Sequence, residues 1–303
     1  MLINSTGVGT AGRVTYFGEN GDFVVDSHIT IFRPNQDLIL PKYALCALGL
    51  IGFDNIENMA LGQSGQIELS LDIIGNIKIP VPPIDVQKQI VEEIDKVDKS
   101  VSDSMLRIEK YESDIEGLLS SLNFADSTLN AVAPFATKSI KYSNIESETY
   151  ITTDNMLQNK LGVLPFEGVV NISSITEYKP EDILISNIRP YLKKIWFADK
   201  EGGCSKDVLV LRSADANKYL PKYIFYMLRR DAFFDYVMEG KKGIKMPRGN
   251  KEDIMKYKIS IPNIDEQKRI VAQIEALELE ITKARTLIES AASEKQAILD
   301  KYL

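Results

Sequence analysis

The sequence predicts an α+β chain in which two β-rich units are separated by two long helices that pair as an antiparallel coiled coil. Three observations carry that expectation. First, Pro82, Ile84, Asp85, Gln87, Lys88, Ile90 and Val91 recur as Pro262, Ile264, Asp265, Gln267, Lys268, Ile270 and Val271, a constant offset of 180 positions. A chain that repeats itself at one fixed offset is built from two like units. Second, each copy opens a long helix-compatible run whose apolar residues recur at alternating steps of four and three. Third, short β-prone runs bounded by turn residues precede each copy.

The elements follow in order. Val14 to Phe17, Phe23 to Val25 and His28 to Phe32 are strand candidates separated by the turn residues Gly18, Asn20 and Gly21. Between the start and these strands, Gly7, Gly9 and Gly12 satisfy G-x-G-x-x-G. The dinucleotide fingerprint needs a helix opening on that loop and an acidic residue about 20 positions on. Strand formers follow instead, and the acid is missing, so a glycine-rich loop between strands is the expected structure. Pro41 starts a short helix, the loop Gly62, Gln63, Ser64, Gly65 and Gln66 follows, and a strand at Ile77 to Pro80 leads into the first long helix.

In that helix the seam is Ile90, Ile94, Val97, Val101, Ser104, Ile108, Tyr111, Ile115, Leu118 and Leu122. Its spacing of 3.5 is that of a coiled coil. The second copy reads Ile270, Ile274, Leu277, Ile281, Ala284, Ile288, Ala291, Lys295, Ile298 and Tyr302, with Lys295 as the polar intrusion. A seam this narrow cannot bury itself alone. The other copy is the simplest partner; self-association of two chains through the same helices is the alternative. About 38 residues at 1.5 Å each give a rod of roughly 57 Å.

Polar and small residues at 123–134 read as a linker. Beyond it, strands are expected at Tyr150 to Thr153, Gly168 to Ile172, Ile183 to Ser186, Ile195 to Phe197 and Val208 to Leu211, then a helix from Pro221, the counterpart of Pro41. Trp196 and Phe197 are expected in the core. The expected division is 1–83, first β-rich unit; 84–122, first long helix; 123–134, linker; 135–262, second β-rich unit; 263–303, second long helix. At the 180 offset, 135–184 has no counterpart, so the first unit is expected to lack roughly its opening 50 residues, as a truncated product or as a piece of a larger protein.

Composition narrows the function classes. With 44% hydrophobic and 26% charged residues the chain is globular. No apolar run reaches the 18 or more residues of a membrane span, and Met1 to Asn4 do not open a secretory signal, so a cytoplasmic protein with no membrane partner is expected. Two cysteines and one histidine exclude a disulfide framework and a histidine-rich metal centre; no metal is expected. The net charge of −7 is uneven. Residues 1–83 hold 4 basic and 8 acidic groups, whereas 135–262 hold 21 and 16. The second unit could hold a local polyanion site; a solvated charged face is the bland alternative.

A proline-led strand exit, the Gln-Lys-x-Ile-Val run and a long helix, occurring twice behind β-rich units, resemble the specificity subunit of type I restriction–modification systems. The runs from Glu181 to Pro190, from Gly203 to Arg212 and from Ser5 to Val14 resemble that family's target-recognition domains, the first of them truncated at its start. The resemblance implies that each domain reads one half of a bipartite double-stranded DNA target while the helices act as a ruler. A rod of roughly 57 Å spans about 17 base pairs at 3.4 Å each. It also implies docking to DNA adenine methyltransferase subunits and, through them, a restriction subunit. The resemblance implies no catalysis and no cofactor here; S-adenosylmethionine belongs on the methyltransferase. No methyltransferase motif, P-loop or nuclease cluster stands in the sequence.

The family has no short contact code to transfer, so DNA-contact candidates come from side-chain chemistry. Lys and Arg neutralise phosphates, and Asn, Gln, Arg and Lys read base edges. In the second unit these are Asn187, Arg189, Lys193, Lys194, Ser205, Lys206, Lys241, Lys242, Lys245, Arg248 and Asn250. In the first they are Ser5, Thr6, Arg13, Ser27, His28, Gln63 and Ser64. His28 could equally be a partly buried polar strand residue. Two other readings stay open: the C-terminal recognition part of a fused adenine methyltransferase, and a coiled-coil assembly protein without a DNA role.

Overall fold

The computed structural model describes residues 1–63, 66–122, 124, 126–243 and 245–303. The chain divides into two compact units, Met1–Glu109 with Ile281–Leu303, and Lys110–Glu280. Among the described residues no helix is long and apolar enough to cross a membrane.

In the first unit, β1 (Leu2–Asn4), β2 (Val14–Thr15) and β3 (Ile29–Ile31) form an antiparallel sheet in the order β2-β1-β3. Helices α1 (Pro41–Ile51) and α2 (Phe53–Glu57), the hairpin β4 (Leu61–Gln63) and β5 (Gln66–Glu68), and α3 (Leu71–Gly75) follow, then α4 (Ile84–Ser120) begins. The loop at Gly7 turns with φ of 90°, 77° and 91° at Gly7, Gly9 and Gly12, a backbone that favours glycine. It leads into β2, so no helix opens on it to hold a pyrophosphate.

The second unit holds β6 (Asp126–Thr128), α5 (Leu129–Val132), β7 (Ser139–Lys141), β8 (Tyr150–Ile151), β9 (Ser174–Tyr178), β10 (Ile183–Ser186), β11 (Ile195–Phe197), β12 (Gly202–Cys204), β13 (Val208–Leu211), α6 (Pro221–Arg229), α7 (Asp231–Glu239), α8 (Lys251–Ile254) and β14 (Lys258–Ser260). The final helix, α9 (Ile264–Tyr302), starts here and ends in the first unit. The sheet β11-β10-β13 lies at the 180 offset from β2-β1-β3. A second sheet, β7-β9-β12-β8, has no counterpart among the described residues of 1–83.

Three segments depart from the sequence reading. Phe23 to Val25 match β12 by offset but form no strand, and Val24 is 98% exposed; in the second unit β9 and β8 flank β12. Residues 77–80 match β14 yet are not a strand, because β14 pairs with β6 and no segment of 1–83 corresponds to β6. The expected linker is the third. Residues 126–133 are folded, with β6 against β14 and Leu129, Val132 and Ala133 fully buried. Separately, the strand expected at 168–172 forms later, as β9, and Val169 is fully exposed. Trp196 is buried in a core cluster with Tyr178 and Leu184, and Phe197 packs against the separate cluster of Ile183 and Ile195.

The duplicated motif is a structural lock. Fully buried Gln267 accepts from the Leu220 N–H at 2.8 Å and donates to the carbonyls of Lys218 and Pro262, each at 2.9 Å. Gln87, equally buried, accepts from the Leu40 N–H at 2.8 Å and donates to Leu38 and Pro82. Tyr43 and Tyr223 each donate to a carbonyl of the segment leading into a long helix, Pro80 at 2.9 Å and Ser260 at 2.7 Å. A glutamine tip carries one acceptor and two donors, the set these three backbone groups require.

Every expected seam position in α4 and α9 is buried or half-buried. In the first unit Ile90 and Ile94 share a cluster with Ile298, Leu299 and Tyr302. Lys301 reaches Glu93 at 2.9 Å, and Lys295 pairs with Asp98. As α4 runs forward, its α9 partners run backward, so the helices of this pair are antiparallel. Lys295, the polar intrusion, thus has a carboxylate partner on α4. Buried Ser104 accepts from Arg107 at 2.9 Å. In the second unit Ile115, Leu118 and Leu119 share a cluster with Ile270, Val271 and Ile274. Val97, Ile281 and Ala284 are buried; Val101, Ile108, Leu277 and Ile288 are half-buried.

Within the runs at 181–190 and 203–212, two residues serve the sheet. Asp182 is 1% exposed and receives both Arg212 Nε at 2.7 Å and Arg212 Nη2 at 2.6 Å. The hydrogen bond to Asp182 holds the guanidinium above its ordinary pKa. Arg212→Lys keeps the charge but loses the fork. It should cost about 1 kcal/mol, lowering the melting temperature of a unit this size by about 2–4 °C; differential scanning calorimetry would register an unchanged transition if the fork were idle.

Candidate nucleic-acid interface

Three stretches distant in sequence converge on one face of the second unit. The loop after β10 donates from Asn187 N–H to the Asp207 carbonyl at 2.8 Å and from Arg189 N–H to the Pro247 carbonyl at 2.8 Å. Gly249 N–H returns to the Asn187 carbonyl at 3.2 Å. The basic loop before α8 is closed by a reciprocal pair, Lys242 N–H to Arg248 C=O at 2.8 Å and Arg248 N–H to Lys242 C=O at 2.9 Å. Arg248 lies 3.3 Å from the Asp207 carboxylate. The candidates around 187–194, 205–207 and 241–250 are therefore neighbours through their backbones.

Within that face the side chains differ. Arg189, Lys206, Lys241, Lys242, Lys245 and Arg248 are exposed and free to meet a phosphate, with Arg248 shared with Asp207. Ser205 is half-buried, with its N–H donated to Ile151. Three of the other candidates are corrected by their surroundings. Asn187 is only 7% exposed and its Oδ1 is buried without a partner among the described residues, pressed against Gly249, so it cannot reach a base edge from this position. Lys194 donates to the Thr153 carbonyl at 2.6 Å, and burial pulls its pKa down. Asn250 caps α8 by accepting from Glu252 N–H, the role its side chain suits. Lys193 is paired with Asp231 at 3.0 Å.

Sequence reasoning missed two residues here. Tyr191 is 48% exposed on a 3-10 turn, Pro190–Leu192, flanked by Arg189 and Lys193. Lys160 lies beside Lys193: Asn159 N–H donates to Leu192 C=O at 2.9 Å and Lys160 N–H to Lys193 C=O at 3.0 Å. Lys160 Nζ reaches Asp231 Oδ1 at 2.5 Å. Burial pushes the Asp231 carboxyl up, but the hydrogen bonds from Lys160 and Lys193 outweigh it and hold the pKa low. Asn159, Lys160, Arg189 and Lys193 all have positive φ, between 50° and 65°. Left-handed backbone costs residues with a β-carbon roughly 1–2 kcal/mol each, and such strain gathers at binding sites. A positive φ at lysine or arginine leaves no mark in composition, and only the fold brings 160 beside 193.

The first unit repeats the plan with less charge. Gly7 N–H donates to Ile67 C=O at 3.1 Å and Leu69 N–H to Ser5 C=O at 2.8 Å, joining the loop after β1 to the β4–β5 hairpin. Ser5 is buried, its hydroxyl donating to the His28 carbonyl at 2.8 Å, so it is a brace rather than a contact. Thr6 is half-buried and accepts through its carbonyl from Thr10 at 2.9 Å. Arg13 is exposed, donating to Gly9 C=O at 2.7 Å and lying 5.5 Å from the Phe53 ring. Ser27 and His28 stand exposed in the turn before β3, so His28 is not a buried strand residue. Gln63 sits in β4, paired in register with Gln66; Ser64 lies outside the described residues.

Residues 1–110 and 127–290 match the family described as the type I restriction modification DNA specificity domain. Over 101 residues the chain is 29% identical to the EcoDI type I restriction enzyme specificity subunit of Escherichia coli, covering 33% of this chain and 22% of that protein. The match thus spans well under two thirds of that relative. Among solved structures, a type I restriction–modification S subunit from M. genitalium superposes with a TM-score of 0.60 at 14% identity, covering 100% of this chain and 82% of that one. A chain from a structure described as concerning complex assembly and conformational transition of the type I R-M system gives a TM-score of 0.55 at 18% identity, covering 99% and 80%. At these identities the structural likeness is one of fold.

Proposed function

Because this chain belongs to the type I restriction–modification DNA specificity family, we propose that it recognises double-stranded DNA through the basic face of its second unit, as the non-catalytic specificity subunit of a type I complex. One observation carries the reading: exposed Arg189, Lys206, Lys241, Lys242, Lys245 and Arg248, scattered over about sixty positions, share one backbone-knit surface. Cations so placed neutralise phosphates and set register, while Tyr191 and the arginines can reach base edges or stack on them. The first unit, with the same loop-and-hairpin plan, is the second reader of a bipartite target. The helices α4 and α9 hold the two readers at a set spacing and offer the docking arm for DNA adenine methyltransferase subunits and, through them, the restriction subunit. S-adenosylmethionine binds on the methyltransferase in this scheme.

Replacing Lys241, Lys242 and Lys245 together by alanine should weaken DNA binding and flatten its salt dependence by about 0.9 in log–log slope for each phosphate left without its cation. Fluorescence anisotropy on a labelled duplex across a salt series measures both. A slope equal to that of the unmodified chain would take this loop out of the interface. Co-purification with the methyltransferase encoded beside this chain, followed by mapping of methylated sites, tests the docking and the bipartite target; a contiguous, gapless site would count against the spacer.

A further inference from the structure

The pairing of Lys160 and Lys193 on one carboxylate goes beyond general DNA affinity and rests on the DNA-binding reading above. We propose that these two lysines are a clamp for a DNA backbone phosphate, and that Asp231 occupies the clamp in the free protein and is displaced when DNA binds. Both ammonium groups converge on a single oxygen, Asp231 Oδ1, at 2.5 and 3.0 Å. Two donors aimed at one anionic oxygen suit a phosphate oxygen as well as a carboxylate.

The lysines are fixed from behind. Their backbones are joined by the Lys160 N–H to Lys193 C=O bond, and both residues hold the costly left-handed conformation, with φ of 65° and 51°. Their side chains are 23% and 29% exposed, whereas that of Asp231 is 57% exposed. The carboxylate therefore stands on the open side, where a competing anion can approach. Across the turn Pro190–Leu192 from Lys193 stands Arg189, which is tied to the basic loop through Pro247. The clamp thus extends the same cationic line. Asp231 also begins α7, a favourable place for an acid. A purely structural ion pair would exploit that position and nothing more.

The two accounts separate in binding measurements on the full chain with a fluorescent random-sequence duplex over a salt series. Under the clamp, Asp231→Asn should bind DNA several-fold more tightly, since no carboxylate need be displaced. Lys160→Ala should weaken binding and lower the salt slope by about 0.9, and Asp231→Asn should bring no gain in a Lys160→Ala, Lys193→Ala background. A folded Asp231→Asn chain with unchanged or weaker affinity overturns the clamp. So does Lys160→Ala with an unchanged slope, a result that stands even if Asp231→Asn does not fold. If the Lys241, Lys242, Lys245 variant loses slope while Lys160→Ala does not, the clamp falls and the DNA reading survives. If the unmodified chain shows no salt-dependent binding, both fall.

Discussion

Replacing Gln267 by leucine should destabilise the second unit by about 3 kcal/mol or more, because three buried backbone groups lose their partner at about 1–3 kcal/mol each. Leucine fills a similar volume, so the change isolates the hydrogen bonds from the packing. The stranded groups are the Leu220 N–H and the carbonyls of Lys218 and Pro262, and water cannot replace the side chain at a site with no exposure. At about 2–4 °C per kcal/mol for a domain of this size, the melting transition should fall by roughly 6–12 °C. Hydrogen exchange at the Leu220 amide should speed up with it. Gln87→Leu should do the same in the first unit. Thermal melts that coincide with the parent chain would show that the glutamine is dispensable and that the motif recurs for another reason.

The double replacement Ile94→Asp with Val97→Asp should have a still larger effect on the first unit. Both side chains are nearly buried, at 5% and 6% exposure, and Ile94 packs in the cluster that holds Leu299 with Ile298 and Tyr302. The change removes apolar packing and puts two carboxylates into an apolar seam. A combined cost of roughly 4–8 kcal/mol is comparable to the whole stability of a domain. Loss of helical circular dichroism and rapid proteolysis within 84–109 and 281–303 are expected. Leu106→Asp on the same helix, at a side chain 61% exposed, should change neither. Equal stability of the double variant and the Leu106 variant would mean that α4 and α9 do not depend on each other.

The sites were less legible than the scaffold. Basic residues could be picked out along the chain, but their freedom could not. Lys194 spends its ammonium on the Thr153 carbonyl, Ser5 its hydroxyl on His28, and Asn250 its side chain on the start of α8. Each of these is a local or a sequence-distant bond that composition does not announce. Asn187 looked like a base reader by residue type and is shut beneath Gly249. Conversely Lys160 stood alone in sequence, and the fold places it against Lys193. The runs at 181–190 and 203–212 carried the family resemblance, yet their Asp182 and Arg212 hold β10 and the end of β13 together rather than face a ligand.

Periodicity and repetition are properties of the chain itself, and they alone determined the two long helices, their seams, the duplicated glutamine motif and the matching sheets. An apolar stripe every 3.5 residues must be buried against another helix, and a repeated segment meets the same local physics twice. Tertiary structure decided what depends on a neighbour. Residues 126–133 became part of a core rather than a linker because β14 offers them an edge. Residues 23–25 and 77–80 remained outside any sheet because the first unit offers them none. It also decided which cations are paired with internal carboxylates and carbonyls and which stand exposed, since a charge is satisfied by what lies within a few ångströms and not by what precedes it in the chain.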